Sequence, residues 1–113
     1  MVKDAINALD GNEINTVSLK LRNDDSMDIG GGKANQYKCH VRTKNGFYHL
    51  LNPNCQRDMN DTVPIVMGDG EEWNYPKCTI VSLETVMIAV ECFCTTGELS
   101  PNLTWDKTLD FKL

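Results

Sequence analysis

The stretch of sequence that decides the fold is VSLETVMIAVECFCTTG, from Val81 to Gly97. Its apolar residues recur at helical spacing, which predicts one face of an α-helix of about three to four turns. Ser82 is a favourable N-cap, and Glu84 lies in the first turn, where the helix dipole favours a negative charge. Gly97 can adopt the left-handed conformation that ends a helix. The predicted apolar stripe comprises Leu83, Val86, Met87, Val90, Phe93 and Cys94.

Two cysteines of this helix, Cys92 and Cys94, raise the question of a redox or metal-binding pair. Each residue turns a helix by about 100°, so Cys92 lies about 160° around the helix from Cys94, which falls on the apolar stripe. A redox pair needs two intervening residues at a helix N-terminus, where the dipole lowers the thiol pKa. This pair is at the C-terminal end, so the pattern predicts a core cysteine and a neighbour without shared chemistry.

The residues before the helix alternate between apolar and polar, which is typical of β-strands. The tight turn at Asn45-Gly46 predicts a hairpin, and Pro64 predicts an edge strand because proline cannot donate to a ladder. In the strand before that hairpin, the alternation places Tyr37, Cys39 and Val41 inward and Lys38, His40 and Arg42 outward. The predicted elements are a helix over 3–10, strands over 15–22, 36–43, 47–52, 62–67 and 78–81, a turn region over 23–35 with a short strand before residue 30, and loops over 52–61 and 68–77.

Together these elements predict an α+β fold, formed by an antiparallel β-sheet with the long C-terminal helix packed on one face and a short N-terminal helix. With 113 residues, the chain is expected to form a single domain over residues 1–113. Trp105, which follows the long helix, is predicted to act as a lid on the core between sheet and helix.

The composition restricts the class of partner and the compartment. The net charge of −5 and the pI of about 4.8 disfavour direct nucleic-acid binding and suit a basic protein partner. No apolar run approaches the roughly 20 residues that span a bilayer, and the N-terminus lacks the features of a secretory signal. We therefore expect a cytoplasmic protein without a membrane partner, whose five cysteines are reduced thiols.

The sequence offers little support for an enzyme, a metal or a cofactor. Cys39 and His40 point to opposite faces of one strand, and His49 across the hairpin can approach only one of them. A zinc site needs three or four such ligands, usually with at least one close-spaced pair, and these residues do not supply them. The glycines at 30–32 precede a lysine and an alanine rather than the lysine and Ser or Thr of a phosphate-binding loop. We predict no catalytic residue, metal or cofactor, and keep a small enzyme using Cys39, His40 or His49 as an alternative.

A candidate contact surface lies in the acidic and aromatic segment over residues 67–77, which the pattern predicts as an exposed loop. Tryptophan and tyrosine are enriched in interface hot spots, and neighbouring carboxylates can steer and hold a basic partner. The alternative is a solvated turn whose tryptophan folds back on the core. The predicted partner-binding residues are Asp69, Glu71, Glu72, Trp73 and Tyr75.

Four segments in this order, GGGKANQY, VPIVMGDGEEWNYP, IVSLETVMIAVECF and TTGELSPNLTW followed by an acidic residue, resemble the first-numbered Imm family of immunity proteins from bacterial polymorphic toxin systems. The resemblance covers residues 30–106. This chain departs from the family where Gly70-Glu71-Glu72 replaces Gly-Gly-Gln or a similar sequence, and where Asp106 replaces glutamate. The structural positions that the resemblance carries over are Gly30, Gly31, Phe93, Gly97 and Trp105.

The resemblance implies an immunity protein that binds a cognate secreted toxin domain and occludes its active site. Toxins paired with this family are often nucleic-acid deaminases, which implies a partner with a basic substrate groove. The acidic charge of the chain fits such a groove. The alternative is a small structural or adaptor protein of a secretion or phage assembly, which shares the size, the acidity and the lack of catalytic motifs.

Overall fold

The helices and strands were located in a computed structural model, which describes residues 2–52, 61–67 and 71–107. The chain forms two α-helices in the described part, and the longer of them comes near its C-terminal end, as predicted. The elements are α1 (Val2–Asn7), β1 (Thr16–Lys20), β2 (Ser26–Gly31), β3 (Tyr37–Thr43), β4 (Gly46–Leu51), β5 (Thr62–Met67), β6 (Glu71–Pro76), α2 (Leu83–Thr96) and β7 (Thr104–Asp106).

The principal sheet is antiparallel and has five strands in the order β1-β2-β3-β4-β7. The predicted turn at Asn45-Gly46 is confirmed, and Thr43 pairs with Gly46 across it. This register places His40 directly opposite His49. The strand β7 was not predicted, and it completes the sheet by pairing with β4 so that Trp105 lies opposite Leu50.

The core lies between this sheet and α2. Side chains from alternate positions of β2, β3 and β4 meet the buried face of the helix, which confirms the predicted α+β fold. Trp105 is half-buried against this core, and its indole Nε1 donates a hydrogen bond to the Ser100 carbonyl at 3.2 Å, as expected of a lid. The buried core residues are Ile6, Leu9, Met27, Ile29, Tyr37, Cys39, Val41, Leu50, Val81, Val86, Ala89, Val90 and Phe93.

Both predicted ends of α2 are confirmed. The Ser82 hydroxyl accepts a hydrogen bond from the Thr85 amide at 3.3 Å, and Gly97 takes the left-handed conformation at φ 74° while its amide bonds the Phe93 carbonyl at 2.9 Å. The buried face of the helix differs from the prediction near its end. Cys94 is exposed and Cys92 is half-buried, so Cys94 is not a core cysteine.

The difference arises because the stripe that meets the sheet is centred on Val86, Ala89, Val90 and Phe93. Ala89 carries only one methyl group and contributes little to an apolar pattern. It is nevertheless fully buried on the face of the helix that meets the sheet. Cys94 is about 100° around the helix from Phe93, which turns its side chain away from this face.

The glycine-rich turn between β2 and β3 is a packing device rather than a phosphate-binding loop. A Cβ at Gly32 would lie 2.4 Å from the Leu9 carbonyl oxygen, so only glycine allows the chain that follows α1 to pack against this turn. Ala34 and Asn35 follow with positive φ angles of 55° and 57°. The Asn35 side-chain oxygen then accepts a hydrogen bond from the Leu83 amide at 3.0 Å, which joins the turn to the start of α2.

The segment before α2, predicted as a strand over 78–81, is mostly a turn of 3₁₀ helix at Lys77–Thr79. Only Val81 makes a bridge, with Tyr37. The expectation that every cysteine is a reduced thiol is also wrong in this structure, because Cys78 is disulfide-bonded. The backbone holds this turn as well, since the Asn52 amide donates to the Cys78 carbonyl at 2.7 Å.

Candidate functional site

The segment predicted as an exposed acidic loop is in its greater part a β-strand. Residues 71–76 form β6, which pairs in antiparallel register with β5 over its whole length. The two strands form a separate two-stranded sheet, here called the β5–β6 hairpin. Glutamate and asparagine disfavour strands, so the sequence pattern suggested a loop, but the pairing with β5 and the aromatic residues Trp73 and Tyr75 outweigh that preference.

The strand geometry separates the predicted partner-binding residues. Successive side chains of a strand point to opposite faces, so Glu71 and Trp73 share one face of the hairpin and Glu72 lies on the other. All three are exposed. Tyr75 shares the face of Trp73 but is buried, and Asp69 lies outside the described residues. The predicted contact residues therefore lie on both faces of the hairpin, and one of them, Tyr75, is buried.

Trp73 remains 39% exposed, although two positions further on Tyr75 retains only 5% of its exposed surface. Tyr75 packs with Ile65 and Ile80 in a second small core. Burial raises the pKa of its phenol. The face that Trp73 shares with Tyr75 is thus open at Trp73 and buried at Tyr75. The indole forms an exposed apolar surface next to the firmly packed Tyr75 ring.

A buried lysine lies beneath the Tyr75 ring. Lys38 was predicted to point outward, and it does leave the helix-side core, but the hairpin covers it and only 1% of its surface is exposed. Its ammonium lies 5.2 Å from the centroid of the Tyr75 ring and 3.1 Å from Nδ1 of His49. Burial lowers the pKa of Lys38 to about 8. The ammonium can only donate, so His49 accepts at Nδ1 and carries its proton on Nε2.

Lys38 borders a row of polar side chains that crosses the sheet, here called the polar row. Its members occupy directly opposite positions on neighbouring strands, on the face away from α2. Nε2 of His40 donates to Oδ2 of Asp28 at 3.0 Å, and the rings of His40 and His49 are 6.3 Å apart between centroids. The polar row consists of Asp28 on β2, His40 on β3, His49 on β4 and Asp106 on β7.

Both histidines of the polar row are neutral near pH 7. Burial, reinforced by the nearby charge of Lys38, lowers the pKa of His40 to about 4, although the hydrogen bond that His40 donates to Asp28 acts in the opposite direction. The same two causes lower the pKa of His49 to about 3. The ring of Phe47 contacts both, at 4.7 Å from the His40 centroid and 4.8 Å from that of His49.

The geometry argues against the alternative of a cysteine–histidine enzyme. The Cys39 side chain points into the core on the face opposite His40 and is fully buried. Burial raises the pKa of its thiol to about 12, so it is not a nucleophile at neutral pH. Within the described part of the chain, no group of three or more His, Cys, Asp or Glu side chains is placed to hold a metal ion.

Sequence reasoning located part of the polar row and missed the rest. The Asn45-Gly46 turn indicated that His49 lies across the hairpin and can approach either Cys39 or His40, and the register shows that His40 is its partner. Asp28 and Asp106 carried no comparable signal, because their register depends on pairings with strands that the pattern predicted poorly or not at all. Lys38 could not be recognised as buried without the position of the β5–β6 hairpin.

Comparisons with known proteins give one family. The model of the family described as immunity protein Imm1 matches residues 2–107. Comparison with curated proteins gave no match, and comparison with solved structures gave none either. Among the described residues, none of the helices has the length and apolar character required to cross a membrane. Because the family model covers nearly the whole chain, this protein belongs to the Imm1 family of immunity proteins.

Proposed function

We propose that this protein binds the active domain of a cognate secreted bacterial toxin and occludes its active site, and that the toxin is a nucleic-acid deaminase of a polymorphic toxin system. The match of the Imm1 family to residues 2–107 carries this proposal. Inhibition requires binding and no chemistry on the part of the immunity protein. The protein acts in the cytoplasm of the cell that needs protection.

Charge and shape provide the mechanism. A toxin that acts on nucleic acid needs a basic groove for the phosphate backbone, and this chain has a net charge of −5. Carboxylates on the immunity protein compete with phosphates for the same basic side chains. Electrostatic attraction also accelerates association, which matters for a protein that must capture a toxin before it reaches its substrate.

The β5–β6 hairpin is the proposed contact surface. Trp73 supplies an exposed indole, the residue type most enriched in interface hot spots, and Glu71 and Glu72 supply carboxylates on the two faces beside it. Tyr75 is buried and supports this surface by anchoring β6 against the principal sheet. Asp69, which lies outside the described residues, is the remaining acidic residue of the proposed contact surface.

Co-expression tests the proposal. The toxin domain encoded by the neighbouring gene is expressed in a sensitive host, with and without this protein. Growth rescue together with co-purification of the two chains supports the proposal. Cell death at the same rate in both cultures, with the immunity protein present and folded, contradicts it.

Substitution of Trp73 tests the contact surface. Trp73→Ala is expected to raise the Kd for the toxin by about 30-fold, because truncating a central tryptophan removes a hot spot. The thermal midpoint should change little, since the side chain is 39% exposed. Titration calorimetry measures the first quantity and circular dichroism the second.

Ile88→Ala provides the matched control for this experiment, because Ile88 is an equally exposed apolar side chain, at 43%, on α2. It should alter the Kd by less than about twofold, as expected of a residue outside the interface. If Trp73→Ala and Ile88→Ala bind the toxin equally well, the hairpin is not the contact surface.

Charge removal tests whether a carboxylate on the hairpin contributes more to association than one elsewhere on the surface. Glu72→Gln removes one carboxylate from the face opposite Trp73 and should reduce the association rate at low ionic strength by about threefold, with a smaller effect at high salt. Glu13→Gln makes the same change at an exposed position between α1 and β1. Stopped-flow measurements in which both variants slow association equally would show that only net charge matters.

A further inference from the structure

A second surface feature lies at the C-terminal end of α2. A cleft of about 260 Å³ opens there between the helix end and the β3–β4 turn. Its apolar floor is formed by Val41, Tyr48, Phe93 and Leu99, and its walls carry Asp25, Glu98 and Lys44. We call this feature the helix-end cleft.

The walls of the helix-end cleft carry unused negative charge. Asp25 accepts a hydrogen bond from the Asn23 side chain at 3.2 Å, which orients its carboxylate. Within the part of the chain that the structure describes, neither Asp25 nor Glu98 forms an ion pair. Lys44 is the opposing charge, so the lining holds two carboxylates against one ammonium.

The end of α2 adds to this negative potential. The last carbonyl groups of a helix carry partial negative charge, and proteins usually place a lysine, arginine or histidine beside them. The last turn of α2 contains no basic residue. The chain continues after Gly97 with Glu98, an acid at the helix end where acids are unfavourable. An acidic residue without a neighbouring basic residue at a helix C-terminus is expected where a binding partner supplies the cation.

The floor of the cleft suits a planar cation. The face of an aromatic ring attracts cations, and a guanidinium group can stack on it. The Nζ of Lys107 lies 5.8 Å from the centroid of the Tyr48 ring, near the outer limit of a cation–π contact, and Lys107 does not line the cleft. The volume lies below the roughly 300–1,000 Å³ of pockets that enclose whole small molecules. One long side chain is therefore a better occupant than a cofactor.

We infer that the helix-end cleft receives an arginine side chain of the toxin, with the guanidinium against the Tyr48 ring and between the carboxylates of Asp25 and Glu98, and the aliphatic part on Leu99. This inference rests on the proposed function, because it assumes a toxin with basic residues around its substrate groove. It adds a second contact, on a different part of the surface from the β5–β6 hairpin, and names the residue type that the toxin presents there.

The first test uses the toxin. Asp25→Asn and Glu98→Gln are each expected to raise the Kd about fivefold, and the double variant about 25-fold. Removing an acid from the end of a helix should leave the thermal midpoint of Glu98→Gln unchanged or higher. That combination, weaker binding without loss of stability, separates a contact role from a structural one. Normal toxin binding by the double variant overturns the inference while the proposed function stands.

The second test needs no toxin. The isotopically labelled full-length protein is titrated with N-acetyl-arginine amide and, in parallel, with the neutral analogue N-acetyl-citrulline amide. Saturable chemical-shift changes at Gly97, Glu98 and Tyr48 should appear with the arginine compound. The Kd obtained from them should be at least about fivefold lower than the Kd for the citrulline compound, and the changes should be lost in the double variant. Equal responses to both compounds, or changes located elsewhere, overturn the inference. This result is independent of whether the neighbouring toxin is the true partner.

Discussion

Lowering the pH from 6.5 to 4.5 is expected to reduce the free energy of unfolding by about 3 kcal/mol. In the unfolded chain both histidines bind protons near their ordinary pKa of 6.5. In the folded chain the pKa is lowered to about 4 for His40 and to about 3 for His49. Between these values the unfolded state binds more protons, so stability is present above pH 6.5 and is lost as the pH falls.

Chemical denaturation at a series of pH values measures this loss. The matched variant is His40→Gln, whose side-chain amide can replace the ring N–H as the donor to Asp28 but cannot titrate, and which should reduce the slope of stability against pH by about one proton. A typical protein of this size has only about 5–15 kcal/mol of stability, so the effect should be conspicuous. A stability that is constant between pH 6.5 and 4.5 would contradict the burial of the polar row.

Phe93→Ala is expected to destabilise the protein by about 4 kcal/mol, since it removes a fully buried aromatic side chain and leaves a cavity between α2 and the sheet. Phe93 is 1% exposed and belongs to the main core. Thermal and urea denaturation measure the loss. Such a value is a large fraction of the total stability of a small protein, and partial unfolding at 37 °C is an expected consequence.

The adjacent residue provides the control. Cys94→Ala should change the free energy of unfolding by less than about 0.5 kcal/mol, because the thiol is exposed. The amino-acid pattern alone places both residues on the apolar stripe and predicts a loss for each. If Cys94→Ala proves as damaging as Phe93→Ala, the rotation of α2 against the sheet is wrong.

The candidate site shows where sequence reasoning succeeds and where it stops. The identity of Trp73, Glu71 and Glu72 as an acidic aromatic group could be read directly, because composition is local. Their arrangement could not. Whether residues 71–76 form a loop or a strand depends on pairing with β5, and that pairing separates Glu71 from Glu72 and buries Tyr75.

The sequence by itself determined α2, its two caps, the β3–β4 turn and the α+β fold. Each of these depends on interactions between residues close in the chain: a serine hydroxyl and an amide three residues later, a glycine with positive φ, or the period of an apolar pattern. Such interactions are decided by spacing, and spacing is visible in the amino-acid order.

Only the tertiary structure decided the burial of Lys38, the polar row, β7 and the helix-end cleft. These features join residues that are distant in the chain, and they follow from strand register and from which surface the β5–β6 hairpin covers. A shift of register by one residue would turn every side chain of a strand to the other face. The register is selected by the packing free energy of the whole core, so it cannot be predicted from a local sequence pattern.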